Sequence, residues 1–361
     1  MRNLTKTGLM VFLTALLFSS ANNYAQIEEL GRFIAAGKTD AQLLLQPYVT
    51  PAVNAFGASL AGGWYNTAET HKLGGFDFTI TLNTCIIPKK FKTFVIDNDE
   101  LTLLKLADPG DNVSQTVAGD RIQGPDIVYN FEDPVPYTAP AFSMPRGLNS
   151  NYIPSPMIQV GVGLIKGTEL IVRYLPNIKV RGNEFGLWGL GGKHDIKQWI
   201  PGLKKLPVWQ LSVMYGFTKL HTNVGLLVDK ATIGASGLPG EEGNQWSDQN
   251  MKLIVKSQTA NLLIAANLKI VTFYGGLGFV TTKTNLKFEG DYPVVYMDGA
   301  TASVQALSDP IDMEIKNQDG GVTKPRINAG IRFKLAVVTV HFDYSWANYN
   351  VLTGGVGISI R

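Results

Sequence analysis

From Arg326 to Arg361 the chain alternates apolar and polar side chains in three consecutive stretches, and this period of two limits what it can fold into more than any other feature. In the first stretch Ile327, Ala329, Ile331, Phe333 and Leu335 share one face. Arg326, Asn328, Gly330, Arg332 and Lys334 share the other. The second sets Val338, Val340, Phe342, Tyr344 and Trp346 against Thr339, His341, Asp343 and Ser345, and the third sets Val356, Ile358 and Ile360 against Gly357, Ser359 and Arg361. Strands of this kind are half-buried. In a soluble β-sandwich the apolar face meets a protein core, whereas in a membrane barrel it meets lipid and the polar face lines a wet lumen.

The N-terminus bears on that choice. Arg2 and Lys6 precede an apolar run from Gly8 to Phe18, and Asn23-Tyr24-Ala25 precedes a cleavage point before Gln26, so residues 1–25 read as a secretory signal peptide. No cysteine stands near the cut, which argues against a lipid anchor. The single cysteine, Cys85, excludes an intramolecular disulfide and a thiolate metal cluster. Without the signal the chain carries 30 basic and 29 acidic residues, so its charge gives no footing for nucleic-acid binding. Charged residues make up only 17%, and no run outside the signal is long enough for a membrane helix. A membrane protein of this composition has to be built from strands.

Residues 26–66 have a different texture. Ile27, Leu30, Phe33 and Ile34 recur at helical spacing; Thr39-Asp40 caps a second helical stretch that stops at Pro47, and Pro51 starts a third that ends at Gly62-Gly63. This segment is expected to be either a periplasmic cap or a plug in the lumen. Residues 67–361 then form the barrel, opening with Phe76, Phe78, Ile80 and Leu82 alternating against Asp77, Thr79, Thr81 and Asn83 and zipped to the last strand to remove both sheet edges. Residues 89–156, 221–249 and 290–323 read as long loops, each with room for a hidden hairpin. Lys166-Gly167, Leu268 to Ile270 and Ala336-Val337 read as short turns at the opposite end. His194 to Gly202 looks helical and interfacial, with Trp199 and Ile200 at a membrane boundary. The fold class is therefore all-β, an antiparallel transmembrane β-barrel of an even number of strands, roughly 10 to 14, with an N-terminal helical segment.

Candidate lumen-facing residues are Asp77, Glu169, Arg173, Arg326, Arg332, Lys334, His341 and Asp343, with Arg361 at the end of the last strand. The positive members cluster on the C-terminal strands, which favours anions along any aqueous path. His341, Asp343 and Ser345 place the residue types of a nucleophilic triad on one strand face. Alternate strand residues lie about 6.6–6.8 Å apart and splay, so a polar row pairing with the neighbouring strand's cations is expected and catalysis is not. The four histidines show no metal-ligand spacing, and no cofactor is implied. Pro176 interrupts a strand that otherwise continues through Ile178 and Val180. It marks either the exit from the bilayer or a kink in the wall through which an apolar ligand leaves sideways.

The helical leader, the Phe76-Asp77-Phe78-Thr79 strand, the run Gly192-Lys193-His194-Asp195-Ile196-Lys197-Gln198-Trp199 and the ending Asn350-Val351-Leu352-Thr353-Gly354-Gly355-Val356-Gly357 resemble an uncharacterised family of exported β-barrel proteins of Gram-negative bacteria, over nearly the whole mature chain. The architecture is more distantly similar to the long-chain fatty-acid channels, which pair an N-terminal hatch with a kinked wall. These resemblances imply an outer-membrane location, a lipid bilayer and the outer-membrane assembly machinery as partners, and passive transport of a small, hydrophobic cargo. A non-transporting barrel that displays its loops for adhesion or envelope integrity, and a periplasmic β-sandwich, are the alternative readings.

Overall fold

The computed structural model describes residues 30, 32–131, 137–180, 183–241, 246–298, 301–315 and 323–360. The segment read as a signal peptide and Arg361 lie outside the described residues.

Ten strands form the wall: β1 (Phe76–Ile86), β2 (Tyr152–Gly163), β3 (Thr168–Val180), β4 (Asn183–Asp195), β5 (Trp209–Gly225), β6 (Asn250–Leu268), β7 (Val271–Glu289), β8 (Thr323–Leu335), β9 (Val338–Trp346) and β10 (Asn350–Ile360). Each pairs antiparallel with its sequence neighbour, and β10 pairs with β1 from Phe76↔Ile360 to Ile86↔Asn350, so the sheet is a closed up-and-down barrel. A single closed ring replaces the two packed sheets that the sandwich reading required. An eleventh strand, Ile311–Ile315, pairs with the far end of β7 outside the ring. The chain enters β1, and leaves β10, at the end that carries the tight turns; positive φ at Lys166 (54°), Lys269 (41°) and Ala336 (55°) makes the reversals there.

Side-chain burial confirms which face is which. In β6, Val255, Ser257, Thr259, Asn261, Leu263 and Ala265 are buried, while Gln258, Ala260, Leu262 and Ile264 are exposed. The same parity runs round the ring: Phe78, Val172, Leu190, Val213, Phe279, Ile327, Phe342 and Val356 all stand exposed on the outside. Buried Thr79, Arg173, Ser212, Asn328, His341 and Thr353 turn inward. An apolar exterior around a polar interior inverts the arrangement of a soluble protein and suits a wall in contact with lipid. No described helix is long and apolar enough to cross a membrane.

The second and third helical stretches differ from expectation in being one helix, α1 (Gly37–Ala61), which runs unbroken through Pro47 and Pro51; of the first, Ile27 lies outside the described residues and Phe33–Ala36 form a 3-10 turn. A proline inside a helix removes one intrahelical hydrogen bond and crowds the preceding turn. Here the strain is carried by packing on every side, because Leu44, Leu45, Tyr48, Val49, Val53, Ala55 and Leu60 are all buried. Thr50 Oγ1 also donates to Gln46 O at 2.6 Å. The first half of α1 packs with the long connections in one apolar core that includes Leu104, Ile127, Phe142, Ile233, Phe288, Tyr292 and Val304. Two of the three connections hold the strands expected of them, but these build this cap instead of the wall: a three-stranded sheet (Leu104–Leu106, Asp126–Phe131 and Tyr137–Ser143) and a hairpin (Asp291–Asp298 with Thr301–Ser308), while 221–249 contributes only the end of β5 and no hairpin among the described residues. The second half of α1 is hydrogen-bonded to inward-facing residues of β1, β3, β6 and β8, and therefore lies within the ring.

One wall joint is incomplete. β2 and β3 pair only from Gly163↔Glu169 to Gln159↔Arg173, and among the described residues no ladder joins Tyr152–Ile158 to the facing part of β3. Three prolines account for it. Pro154 and Pro156 share a parity and keep their pairing with β1, so the missing N–H groups fall on the β3 side. Across the gap, Pro176 and Asn177 bulge out of register, which puts both Leu175 and Ile178 on the inner face. A regular strand through Pro176 would have turned Ile178 outward. β2 also begins at Tyr152, earlier than its alternation suggests, because the prolines hide its first half.

The inside-out wall yields a direct expectation. Leu262→Arg, on the outer face of β6, will lower stability in lipid vesicles by about 2–4 kcal/mol, whereas Leu227→Arg, in a connection and 81% exposed, will change it by less than about 0.5 kcal/mol. Urea titrations of the vesicle-inserted protein measure both.

Candidate functional site

The interior chemistry is organised around the end of α1. A helix leaves its last carbonyls without partners and carries partial negative charge there. Two arginines from opposite walls supply donors. Arg173, on β3, donates to Leu60 O at 2.9 Å and to Gly62 O at 2.7 Å, with Nε on Gln159 Oε1 at 3.1 Å. Arg326, on β8, donates to Ala61 O at 3.0 Å and to Ser345 Oγ at 2.7 Å. Further up, Ser257 Oγ donates to Gly57 O at 2.8 Å, and Asn83 Nδ2 donates to Ser59 O at 3.1 Å while its Oδ1 accepts from Thr353 Oγ1 at 3.0 Å.

Beyond the helix the chain continues down the lumen. The ring of Trp64 lies 3.7 Å from the Arg173 guanidinium in a cation–π stack. It is seated against Gly191 of β4 and Gly216 of β5, where an added Cβ would stand 2.7 Å and 2.5 Å from the indole. Tyr65 donates to Asn328 Oδ1 at 2.7 Å and meets Tyr274 edge-on, and burial pushes its hydroxyl pKa up to about 12. At the tight-turn end, His71 Nδ1 lies 2.8 Å from Glu169 Oε2, which also accepts the His71 backbone N–H at 3.0 Å. Lys193 Nζ is 3.1 Å from Glu169 Oε1, and Ser359 Oγ is 3.3 Å from His71 Nε2. Segment 62–75 is thus tied to the wall by a buried charged cluster.

The named lumen candidates fall into separate groups. Asp77 and Glu169 flank His71, and the three place possible ligand atoms within 4.8 Å of one another. A cation there would compete with Lys193, which already balances Glu169. Arg173 and Arg326 bind α1. Arg332 and His341 are direct cross-strand partners and both are buried, with Arg332 Nε and both His341 ring nitrogens lacking hydrogen bonds. Lys334 sits half-buried near the tight turn that follows β8. His341, Asp343 and Ser345 do not converge: Asp343 accepts from Tyr274 OH at 3.0 Å, Ser345 from Arg326, and no hydrogen bond joins the three. Pro176 lies at the open β2–β3 joint.

The interior is apolar where that joint opens. Met157 of β2, Leu175 and Ile178 of β3, Leu187 of β4, Leu220 of β5 and Val255 of β6 form one buried cluster with Leu60 of α1, and Phe56 packs on it.

Over residues 1–360 the sequence matches a family of unknown function (DUF6588). The chain belongs to that family. No curated protein matches it. Among solved structures it is similar to Ail of Yersinia pestis in complex with sucrose octasulfate (11% identity, 80% of this chain and 98% of that one, TM-score 0.26). It is also similar to the outer-membrane protease OmpT of Escherichia coli (8% identity, 81% and 100%, TM-score 0.29) and to the toluene transporter TodX of Pseudomonas putida (9% identity, 80% and 90%, TM-score 0.24). At these values the likeness is one of fold alone.

In this member of the family the residues that sequence reasoning missed are Trp64, Tyr65 and His71 of segment 62–75 and the buried Lys193 that joins the cluster at His71. One signal was available. β4 carries glycine at 186, 189, 191 and 192 and its partner β5 carries Gly216, more than a strand tolerates without a close approach by something bulky.

Two substitutions probe this fixture. Arg173→Met leaves the Gly62 carbonyl without a donor and the Leu60 carbonyl with only the long bond from Thr218 Oγ1 at 3.4 Å, and will lower stability by about 3 kcal/mol, read from urea-induced unfolding. Gly216→Val will expel Trp64 from its seat, and the resulting red-shifted tryptophan emission will vanish when Trp64→Phe is added.

Proposed function

We propose that this protein is an outer-membrane channel, exported by its N-terminal signal, that passes small hydrophobic molecules passively, with α1 and the chain down to Gly75 acting as its plug. One observation carries the proposal: the gap in the wall between β2 and β3 coincides with an apolar cluster of the lumen that reaches α1. An apolar solute admitted beside Phe56 and Leu60 has an apolar surface to follow and an unpaired stretch of wall through which to enter lipid. It need not cross the charged cluster at His71, Glu169 and Lys193. The alternating strands, the apolar exterior and the leader support the outer-membrane location, and no chemical step is required of the lumen residues.

A specific observation favours display as the second reading. The long connections and the first half of α1 share one continuous apolar core, so the cap is a folded body and could present a surface.

Uptake of the apolar dye N-phenylnaphthylamine by cells with a lipopolysaccharide outer leaflet separates the two. In a Cys85→Ser background, cysteines at Ile158 and Tyr174 face each other across the open joint. Bridging them with a short bismaleimide is expected to slow uptake at least tenfold, and deleting residues 26–66 to raise it. Uptake indifferent to the bridge removes the lateral path. No uptake with or without the deletion leaves display as the function.

A further inference from the structure

We propose that the crevice between α1 and strands β7–β9 is a binding site for a small inorganic anion, held by Arg326, Lys324 and Asn54. It lies across the lumen from the apolar cluster and is lined by Asn54 of α1, Val280 and Thr282 of β7, Lys324 and Arg326 of β8 and Ser345 of β9, with no carboxylate among the described residues of its walls. The cavity is about 40 Å³, room for a halide or one tetrahedral oxyanion and too small for an apolar cargo.

Two independent observations give the sign of the ligand. The first is charge. Arg326 is 4% exposed and hydrogen-bonded to two neutral oxygens, Ala61 O and Ser345 Oγ. Arg173, fully buried across the end of α1, likewise hydrogen-bonds only to neutral oxygens, those of Gln159, Leu60 and Gly62, and stacks on Trp64. Asp343, toward the tight-turn end, attracts Arg326 without a hydrogen bond or ion pair to it and accepts from Tyr274. Buried charges are ordinarily balanced by a counter-charge at close range, and the negative end of α1 supplies only about half an elementary charge. The second is an orphan donor. Asn54 is 6% exposed, and its Nδ2 has no acceptor. An unsatisfied buried amide costs about 1–3 kcal/mol, which an anion in the crevice would recover. Arg326, Lys324 and Asn54 line it together, bringing a guanidinium, an ammonium and an amide to one crevice. That set selects an anion over a metal ion or an apolar molecule.

Binding is the readout, so the test holds whether or not the barrel conducts anything, and its failure leaves the apolar path untouched. The full chain in a zwitterionic detergent is titrated calorimetrically with sodium phosphate, and separately with sodium chloride, in a sodium gluconate background whose anion is too large for the crevice. The expected result is saturable one-to-one binding of one of the two, weakened at least tenfold by Lys324→Glu and by Asn54→Asp, with folding of each variant checked by heat-modifiable gel mobility. Lys324 lies at the partly exposed start of β8, so that variant decides the matter if Asn54→Asp fails to fold. Absence of saturable heat with both salts, or unchanged affinity in the folded variants, overturns the site.

Discussion

Pairing of the first strand with the last is the constraint from which the rest of this structure follows. In lipid an unpaired N–H or C=O has no water to turn to, so the sheet has to close, and β1 and β10 meet along the whole length of β1. Closure then dictates the alternation, since every second residue must face lipid and the others must face whatever fills the ring. Ten strands enclose too much space for wall side chains alone to pack, and α1 with its following segment occupies the difference. The one departure is instructive. Where β2 and β3 part, the sequence places Pro154 and Pro156, which remove donors that would otherwise be stranded, and Pro176, which shifts the opposite edge out of register.

The inner segment is held by its backbone more than by its side chains. Carbonyls at Gly57, Ser59, Leu60, Ala61 and Gly62 accept hydrogen bonds from wall residues, and the arginines at the helix end act on its dipole as well as its orphan groups. Such contacts are insensitive to the identity of the helix side chains but demand close approach. Gly57 provides that: a Cβ there would overlap the side chain of Thr282. Below it, glycines on β4 and β5 make the complementary concession for Trp64.

How much of this was legible in the sequence depended on whether the cause was local. Alternation is local, so β1, β8, β9 and β10 could be drawn from Phe76 and from Arg326 onward with their faces correct. The tight turns could be placed too, although Ala336-Val337 offers no turn-forming residue and shows only as a break in phase. What could not be read was set by distant partners. Pro47 and Pro51 looked like helix boundaries because the packing that carries the helix through them comes from connections far along the chain, from Leu104 and Ile127 to Val304. The long connections looked like loops because their strands close on a cap core shared with α1. His71 drew no reading from histidine spacing, since Glu169 and Lys193 reach it only after the ring has closed.

The lumen that results has two unlike halves, and α1 divides them. Toward β2–β6 the helix meets an apolar surface and packs tightly, with Leu60 in the midst of it. Toward β7–β9 it meets arginine, lysine, serine and threonine and leaves a crevice. The difference follows from strand composition: the inner parity of β8 and β9 is almost wholly polar, whereas that of β3 to β6 mixes polar residues with two apolar groups, one around Ile171, Met214 and Leu263 and one around Leu175, Leu187, Leu220 and Val255 near the cap. A helix bound by backbone hydrogen bonds from β1, β3, β6 and β8, and by area burial toward β2–β6 besides, is released differently by different agents. Ionic competition acts on the arginine side, whereas an apolar solute acts on the side where the wall is open. The asymmetry of the wall joint and the asymmetry of the lumen are therefore one design, in which the gap lies only where apolar matter can reach it.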